Sequence, residues 1–250
     1  MKIIDAHTHV DEVGAWQDPP EVIVRLMDEA AIEQAVVMTY RDAPAIQSAP
    51  DLLDPIEYTR RAVERYPERL IGFARINPRA GDEADRLLRL AVLEYGMKGL
   101  KLHPVAYRAL PDGPDTLRLL RLAGDLGVPA LFHCGDEEFT LPLQIELAAA
   151  LCPQTVIILG HMGGYFHVQD AIAAAERQSN IILETSAMPY PWRIAEAVQR
   201  IGAERVLYAS DGPGCDPSLE VAKVRRAGLR DADLELVFHG TIERLLRLSP

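Results

Sequence analysis

The sequence predicts a single (β/α)8 barrel, a TIM barrel of the α/β class, with an extra C-terminal helical segment. Three observations carry that expectation. Short β-branched or apolar runs recur about every 25 to 35 residues. The stretches between them carry apolar residues at helical intervals, and the strand-like runs number eight. In chain order these runs are 3–7, 35–39, 70–76, 99–103, 128–133, 155–161, 180–185 and 205–211. The helix-like stretches are 20–31, 54–66, 82–95, 114–126, 141–151, 168–178, 192–201 and 217–227. Gly96, Gly127 and Gly202 fall where a helix hands over to the next strand, a place that favours glycine because the chain turns there with positive φ. A ninth helical stretch, 231–248, is broken near His239 and Gly240 and is expected to close one end of the barrel. An open doubly wound sheet would also alternate strand and helix. The count of eight and the lack of a glycine-rich dinucleotide fingerprint favour closure.

At 250 residues the chain is sized for one such barrel, so residues 1–250 are read as one domain. Hydrophobic residues make up 48% and charged residues 25%, which allows a sizeable core and argues against disorder. The 37 acidic and 26 basic residues give a formal net charge of −11, which repels a phosphate backbone. The arginines of 86–89 and 225–230 alternate with Leu and Ala as on the wet face of a helix, so no nucleic-acid partner is expected. Cys134, Cys152 and Cys215 are scattered and odd in number, which does not suit a disulfide framework. Neither a leader peptide nor an apolar span is visible, so no membrane partner and a cytoplasmic, reducing location are expected. Oligomeric state stays open, a homo-oligomer included.

In a barrel of this kind the site lies at the C-terminal ends of the strands. Five of the seven histidines fall there: His7 with His9 two residues on, then His103, His133 and His161, with Asp211 closing the eighth run. His167 and His239 lie outside the pattern. Alternate residues of a strand face one side, so His7 and His9 can reach one ion. A lone His-x-His pair is a weak signal, and a single strand-end histidine is commonly a satisfied structural residue. The ordered series, ending in a carboxylate, outweighs that reading.

The series resembles the amidohydrolase superfamily, in particular the compact branch that includes aminocarboxymuconate-semialdehyde decarboxylase-like and lactonase-like proteins. The resemblance rests on Ile4-Asp5-Ala6-His7-Thr8-His9, Gly96-Met97-Lys98-Gly99-Leu100-Lys101-Leu102-His103-Pro104 and Phe132-His133-Cys134-Gly135. It continues through Gly160-His161-Met162-Gly163-Gly164, Glu184-Thr185-Ser186 and Ala209-Ser210-Asp211-Gly212-Pro213. Related metal-dependent deoxyribonucleases carry a glutamate ligand on strand four, where this chain has Lys101 and His103. The resemblance implies that His7, His9, His133 and Asp211 hold one divalent ion, zinc first and manganese next. Such a donor set suits a borderline cation that keeps one position for water. By the same resemblance Asp211 moves the proton of an activated water and His161 stabilises charge developing on the attacked group.

Further candidates are open to two readings each. Lys101 and His103 share one strand face and are candidate substrate contacts. Lys101 could instead be carboxylated and bridge a second ion, although its segment resembles the mononuclear branch more. Glu184 could hydrogen-bond a ligand or substrate, or pair with an arginine. Asp5 could orient a ligand imidazole or fill the barrel. Trp16, Tyr40, Tyr165, Phe166, Tyr190 and Trp192 could wall a substrate pocket or simply pack under loops. Three functions follow: hydrolysis of a small amide, lactone or ester, non-oxidative decarboxylation of an aromatic or unsaturated acid, or a catalytically silent binding barrel. A rim arginine that reads a carboxylate would favour decarboxylation or a dicarboxylate lactone, with Arg41, Arg75, Arg79, Arg108 and Arg193 as candidates.

Overall fold

Strand and helix alternate along the chain in the computed structural model, which describes residues 1–12, 17–41, 49–136 and 138–248. The strands are β1 (Ile4–His9), β2 (Gln34–Met38), β3 (Leu70–Arg75), β4 (Gly99–Leu102), β5 (Ala130–Phe132), β6 (Ile157–Leu159), β7 (Ile181–Glu184) and β8 (Val206–Leu207). All pair in parallel in sequence order, from β1 to β8. The seam between β8 and β1 is closed by backbone hydrogen bonds from Ala6 N to Tyr208 O, Asp211 N to His7 O and His9 N to Gly212 O. The (β/α)8 barrel expected from the sequence is therefore present.

The helices that cover it are α1 (Pro20–Ala30), α2 (Ala49–Arg65), α3 (Asp82–Arg89), α4 (Pro104–Tyr107), α5 (Pro114–Asp125), α6 (Pro142–Leu151), α7 (Val168–Arg177), α8 (Pro191–Ile201) and α9 (Pro217–Arg225). Proline opens most of them, which suits a first-turn position whose N–H has no helical partner. In α1, Ile23 and Met27 stand four residues apart on one fully buried face. Removing the Ile23 side chain beyond Cβ would cost about 2–5 kcal/mol.

Alternation sorts the strand side chains into two apolar layers. Outward residues such as Ala74, Leu100, Leu102, Leu159 and Leu183 pack against the helices. Inward residues such as Ile4, Val36, Ile71, Phe73, Leu131, Ile158, Ile182 and Leu207 fill the barrel. Ile242 and Leu246 belong to that interior cluster. They lie on α11 (Thr241–Leu246), which follows α10 (Asp231–Glu235) through a wide π-type turn at Leu236–Gly240. The broken C-terminal segment thus plugs the end of the barrel where the strands begin, and an ion pair of 2.9 Å from Lys2 to Glu243 ties it to the start of β1.

Several strands are shorter than the sequence runs suggested. β5, β6 and β8 stop before His133, His161 and Asp211; past β6 and β8 the chain turns aside, with positive φ at His161, Met162 and Asp211. Conversely, β1 extends through His9 and carries a register slip between Asp5 and Thr8. A bulge of this kind re-aims side chains near a barrel rim. Trp16, one of the six candidate wall aromatics, lies outside the described residues.

Candidate metal centre

Climbing β3, β5, β7 and β8, the inward positions change from apolar to ionisable. Ile71 and Phe73 are followed by Arg75, Leu131 by His133, Ile182 by Glu184, and Leu207 and Ala209 by Asp211. The hydrophobic lower layers therefore serve as a rigid base for polar groups at the mouth.

On β1, His7 and His9 lie with ring centroids 4.9 Å apart. Asp211 arrives from beyond β8, its Oδ1 3.1 Å from His9 Nε2 and 3.5 Å from His7 Nε2. These three residues form a group whose ligand atoms all lie within 4.8 Å of one another. The second nitrogen of His7, Nδ1, faces Glu184 Oε1 at 3.0 Å. Glu184 is fully buried and held from three other sides, accepting from the backbone N–H of His161 (2.7 Å), the backbone N–H of Ser186 (2.7 Å) and the Ser186 hydroxyl (3.0 Å). That clamp assigns the His7 proton to Nδ1 and turns the Nε2 lone pair toward Asp211. His7, His161 and Glu184 also lie within ligand distance of one another. The Glu184 oxygens are engaged by these groups, so among the readings open from the sequence the contact present is the hydrogen bond to a ligand candidate, His7. Asp5 takes the other supporting role, accepting from the backbone N–H of His7 (3.1 Å) and Ser210 (2.9 Å).

His133 joins this cluster through a neighbour. Its Nδ1 is 3.1 Å from His161 Nε2, its Nε2 is 2.9 Å from Asp136 Oδ2, and its ring stacks on His103 at 4.2 Å. The structure thus brings together three of the four expected ligands and sets His133 beside them, turned toward Asp136. His161 Nδ1 meets the Ser186 hydroxyl at 2.8 Å, and its ring lies 5.3 Å from that of His7. Lys101 is buried, with Nζ 2.8 Å from His7 Nε2. His103 Nδ1 accepts the N–H of Ala106 at 3.3 Å, so the proton of the neutral ring sits on Nε2, which becomes a donor. Tyr40, foreseen as a pocket wall, stacks on His9 at 4.1 Å. Tyr165, Phe166, Tyr190 and Trp192 form a chain of ring contacts with large exposed faces on Tyr165, Phe166 and Trp192.

Sequence reasoning missed Ser186, Asp11 and Asp136. Ser186 was legible only as the second residue past Glu184. Asp11 is fully buried and binds the Arg41 backbone and guanidinium, an association 30 residues apart that no spacing rule shows. Asp136, three residues after His133, could have been suspected from that interval.

Protonation follows burial. Loss of solvent pushes His7, His9 and His161 below the ordinary histidine range and His103 down to about 2, with the neighbouring His133 adding to the last. Burial opposes ionisation of Asp211 as well, but His7 and the His9 hydrogen bond outweigh it and hold the carboxyl well below its usual range. Neutral imidazoles beside an ionised carboxylate are the state in which such groups ligate a cation. Burial, reinforced by Arg75, lowers the Lys101 ammonium to about 7. Burial also raises the Asp5 carboxyl to about 7, against the hydrogen bonds from Ser210 and His7.

The donor set fits a divalent ion on its chemistry and spacing. Nitrogen and oxygen ligands about 2.0–2.2 Å from a common ion stand about 3–3.5 Å from each other. The 3.1 and 3.5 Å separations around Asp211 Oδ1 match. Lys101 Nζ, 2.8 Å from His7 Nε2, rests on the same ring nitrogen.

Barrel and rim together define a TIM-barrel protein with a His-x-His and aspartate metal-binding group at the C-terminal ends of its strands. The family model described as Amidohydrolase matches residues 4–248, and the chain belongs to the amidohydrolase family. No curated protein matches it significantly. Among solved structures it is similar to a protein from Staphylococcus aureus assigned to the amidohydrolases (TM-score 0.81, 16% identity, 99% of this chain and 100% of that one). It also resembles 2,6-dihydroxybenzoate decarboxylase from Rhizobium (0.76, 18%, 99% and 99%). A third match is a dihydroxybenzoic acid decarboxylase from Polaromonas sp. JS666 with bound manganese and the inhibitor 2-nitroresorcinol (0.77, 18%, 99% and 97%). Among the described residues no helix is long and apolar enough to cross a membrane.

Proposed function

We propose that this chain is a metal-dependent enzyme that hydrolyses a small carbonyl substrate, an amide, lactone or ester. The observation that carries the reading is the convergence of His7 Nε2, His9 Nε2 and Asp211 Oδ1, with Glu184 orienting His7 from behind. His7, His9 and Asp211 would hold one divalent ion, zinc or manganese, and a turn of the His133 ring away from Asp136 would add the fourth ligand. When bound, such an ion polarises a carbonyl and makes water more acidic.

The chain's own residues supply the remaining parts. Asp211, ionised among imidazoles, accepts the proton of the attacking water and delivers it to the leaving group. His161, fixed by Ser186 at Nδ1 and resting with Nε2 on His133 Nδ1, would turn Nε2 to the oxygen on which charge develops once His133 moves to the ion. His103 Nε2–H and Lys101 lie on the β4 side as substrate contacts. His9 is held flat by Tyr40, which limits the ring motion available to a ligand.

A second reading, decarboxylation of an aromatic acid, is favoured by the decarboxylases among the similar structures and by the cationic residues Arg75 and Lys101 at the mouth. Both reactions would place a small organic substrate over the same residues. The manganese-loaded protein incubated with lactone, ester, amide and hydroxybenzoate panels separates them: acid release without carbon dioxide supports hydrolysis, and carbon dioxide release supports the second reading. Protein that carries no ion after zinc or manganese loading and turns over neither class would overturn both.

A further inference from the structure

On the outside of the barrel, α6 differs from the other long helices in what it turns to solvent. Every other helix of eight or more residues carries a charged side chain among its exposed positions, such as Arg25 on α1, Glu64 on α2, Arg121 on α5, Arg177 on α7 and Arg200 on α8. The exposed positions of α6 are Leu143, Leu147, Ala150 and Leu151, all apolar and all on one side of the helix. Its other side, with Ile145, Ala148 and Ala149, is packed into the core. A helix that is apolar all round is ordinarily covered all round. The one charge on α6, Glu146, is taken by Arg177, whose Nε and Nη2 each donate to it at 2.7 Å.

The apolar face continues past the helix. The first turn of α6 abuts the loop after β6, where a Cβ on Gly163 would lie 3.0 Å from Pro142 Cγ. Two residues on, Tyr165 and Phe166 stand out from that loop, Phe166 with 82% of its surface exposed, and ring contacts lead through Tyr190 to Trp192 at the start of α8. Of the ten large hydrophobic side chains exposed among the described residues, six therefore lie in this one sector. At ordinary side-chain areas they expose about 700 Å² together, above the about 300–600 Å² of the largest patch on a typical monomer. A stable homodimer takes about 800 Å² from each partner, about 65% of it apolar, so this face meets the need by itself.

Charge and shape favour a second copy of the chain as the cover. A net charge of −11 repels an identical molecule, an anionic lipid surface and a nucleic acid alike, and two copies can approach where that charge is missing. The exposed side of α6 is such a place, and Arg193 beside Trp192 is paired with Glu196 at 2.6 Å. Leu143, Leu147 and Leu151 form a ridge at four-residue spacing, which fits between the ridges of an identical helix crossing at about −50°. Such a contact is isologous, with the two-fold axis at its middle residue.

We propose that the chain forms a homodimer through α6, with the two-fold axis beside Leu147 and the Tyr165, Phe166 and Trp192 rings at the edge of the contact. Tyr165 and Phe166 stand on the loop that begins at His161, so pairing also braces one wall of the barrel mouth.

Sedimentation velocity of the full chain between about 1 and 100 μM tests the proposal. The wild type sediments as a pair of 27.7 kDa chains. Leu147→Glu sets two carboxylates against each other at the axis and raises the dissociation constant by at least about 100-fold, with a native melting temperature because the position is half exposed. Leu219→Glu, at an exposed apolar position on α9, leaves the dimer intact. Leu147→Cys in a Cys215→Ser background is joined to its partner through position 147 by a short bismaleimide, and carries the test should the glutamate variant melt early. A tetramer that Leu147→Glu splits into dimers supports the proposal as well. A wild type that stays monomeric, a dimer that survives Leu147→Glu, or no linkage through position 147 overturns it. So does a monomer that binds neutral phosphatidylcholine vesicles and loses them on Leu147→Glu, which would make a lipid surface the occupant of this face.

Discussion

Replacing Glu184 by glutamine keeps the volume and shape of the side chain and removes only its charge and one acceptor. In the native site Oε1 accepts from His7 Nδ1 at 3.0 Å and from His161 N at 2.7 Å, while Oε2 accepts from Ser186 N at 2.7 Å. A glutamine can satisfy one side only. If its oxygen serves His7 and His161, its NH2 group faces the Ser186 N–H, donor against donor, in a fully buried place. A buried unsatisfied donor, together with weakened charge-assisted bonds, costs about 1–3 kcal/mol. For a chain of this size that corresponds to a melting temperature lower by about 2–12 °C. His7 also loses the anion that fixes its tautomer, and outer-shell losses of this kind typically weaken metal affinity by about 10–100-fold. Scanning calorimetry of metal-free protein and isothermal titration with manganese read the two effects separately. A variant with unchanged melting and manganese affinity within twofold of wild type would refute the view that Glu184 orients a metal ligand.

Asp211→Asn should lower turnover by about 10²–10⁴-fold, the usual scale of a lost general base, with a native circular dichroism spectrum; near-normal turnover would remove Asp211 from the chemistry. His9→Ala deletes one donor of the convergent group, and protein purified from manganese-supplemented medium should carry far less metal by elemental analysis than wild type. Gly135 has φ +122, and an added Cβ would come within 2.8 Å of Gly164 Cα, backbone against backbone. Gly135→Ala should therefore destabilise the protein by more than about 1–2 kcal/mol, seen as an early thermal transition, and an unchanged midpoint would contradict the close approach of these loops. Acidification should destabilise the metal-free protein. His7, His9, His103 and His161 have native pKa values below those of the unfolded chain, so below about pH 6.5 the unfolded state binds more protons and gains. Asp5, raised to about 7, works in the opposite sense between about pH 4 and 7, but it is one group against four. Melting temperatures that rise between pH 6.5 and 5 would show the histidines to be protonated in the native barrel.

Periodicity alone was enough to read eight strands and a C-terminal helical segment closing one end of the barrel, because burial on both faces of a parallel strand and on one face of a helix leaves a local pattern in the chain. The same locality made His7, His9, Lys101, His103, Glu184 and Asp211 legible as rim residues. What each one touches was settled only when β1, β4, β7 and β8 were brought side by side. Which of the readings open for Glu184 holds, the bond to His7, could not be read from the chain, because its partners His161 and Ser186 meet it through backbone N–H groups that no residue pattern encodes. His133 turned to Asp136, Tyr40 lay down on His9, and one arginine among five faced inward, each decided by packing between segments distant in sequence. Alternation tells which side of a strand a residue occupies, and that is a property of neighbours along the chain. Hydrogen-bond partners, burial and pKa depend on neighbours across space, and only the closed barrel supplies those.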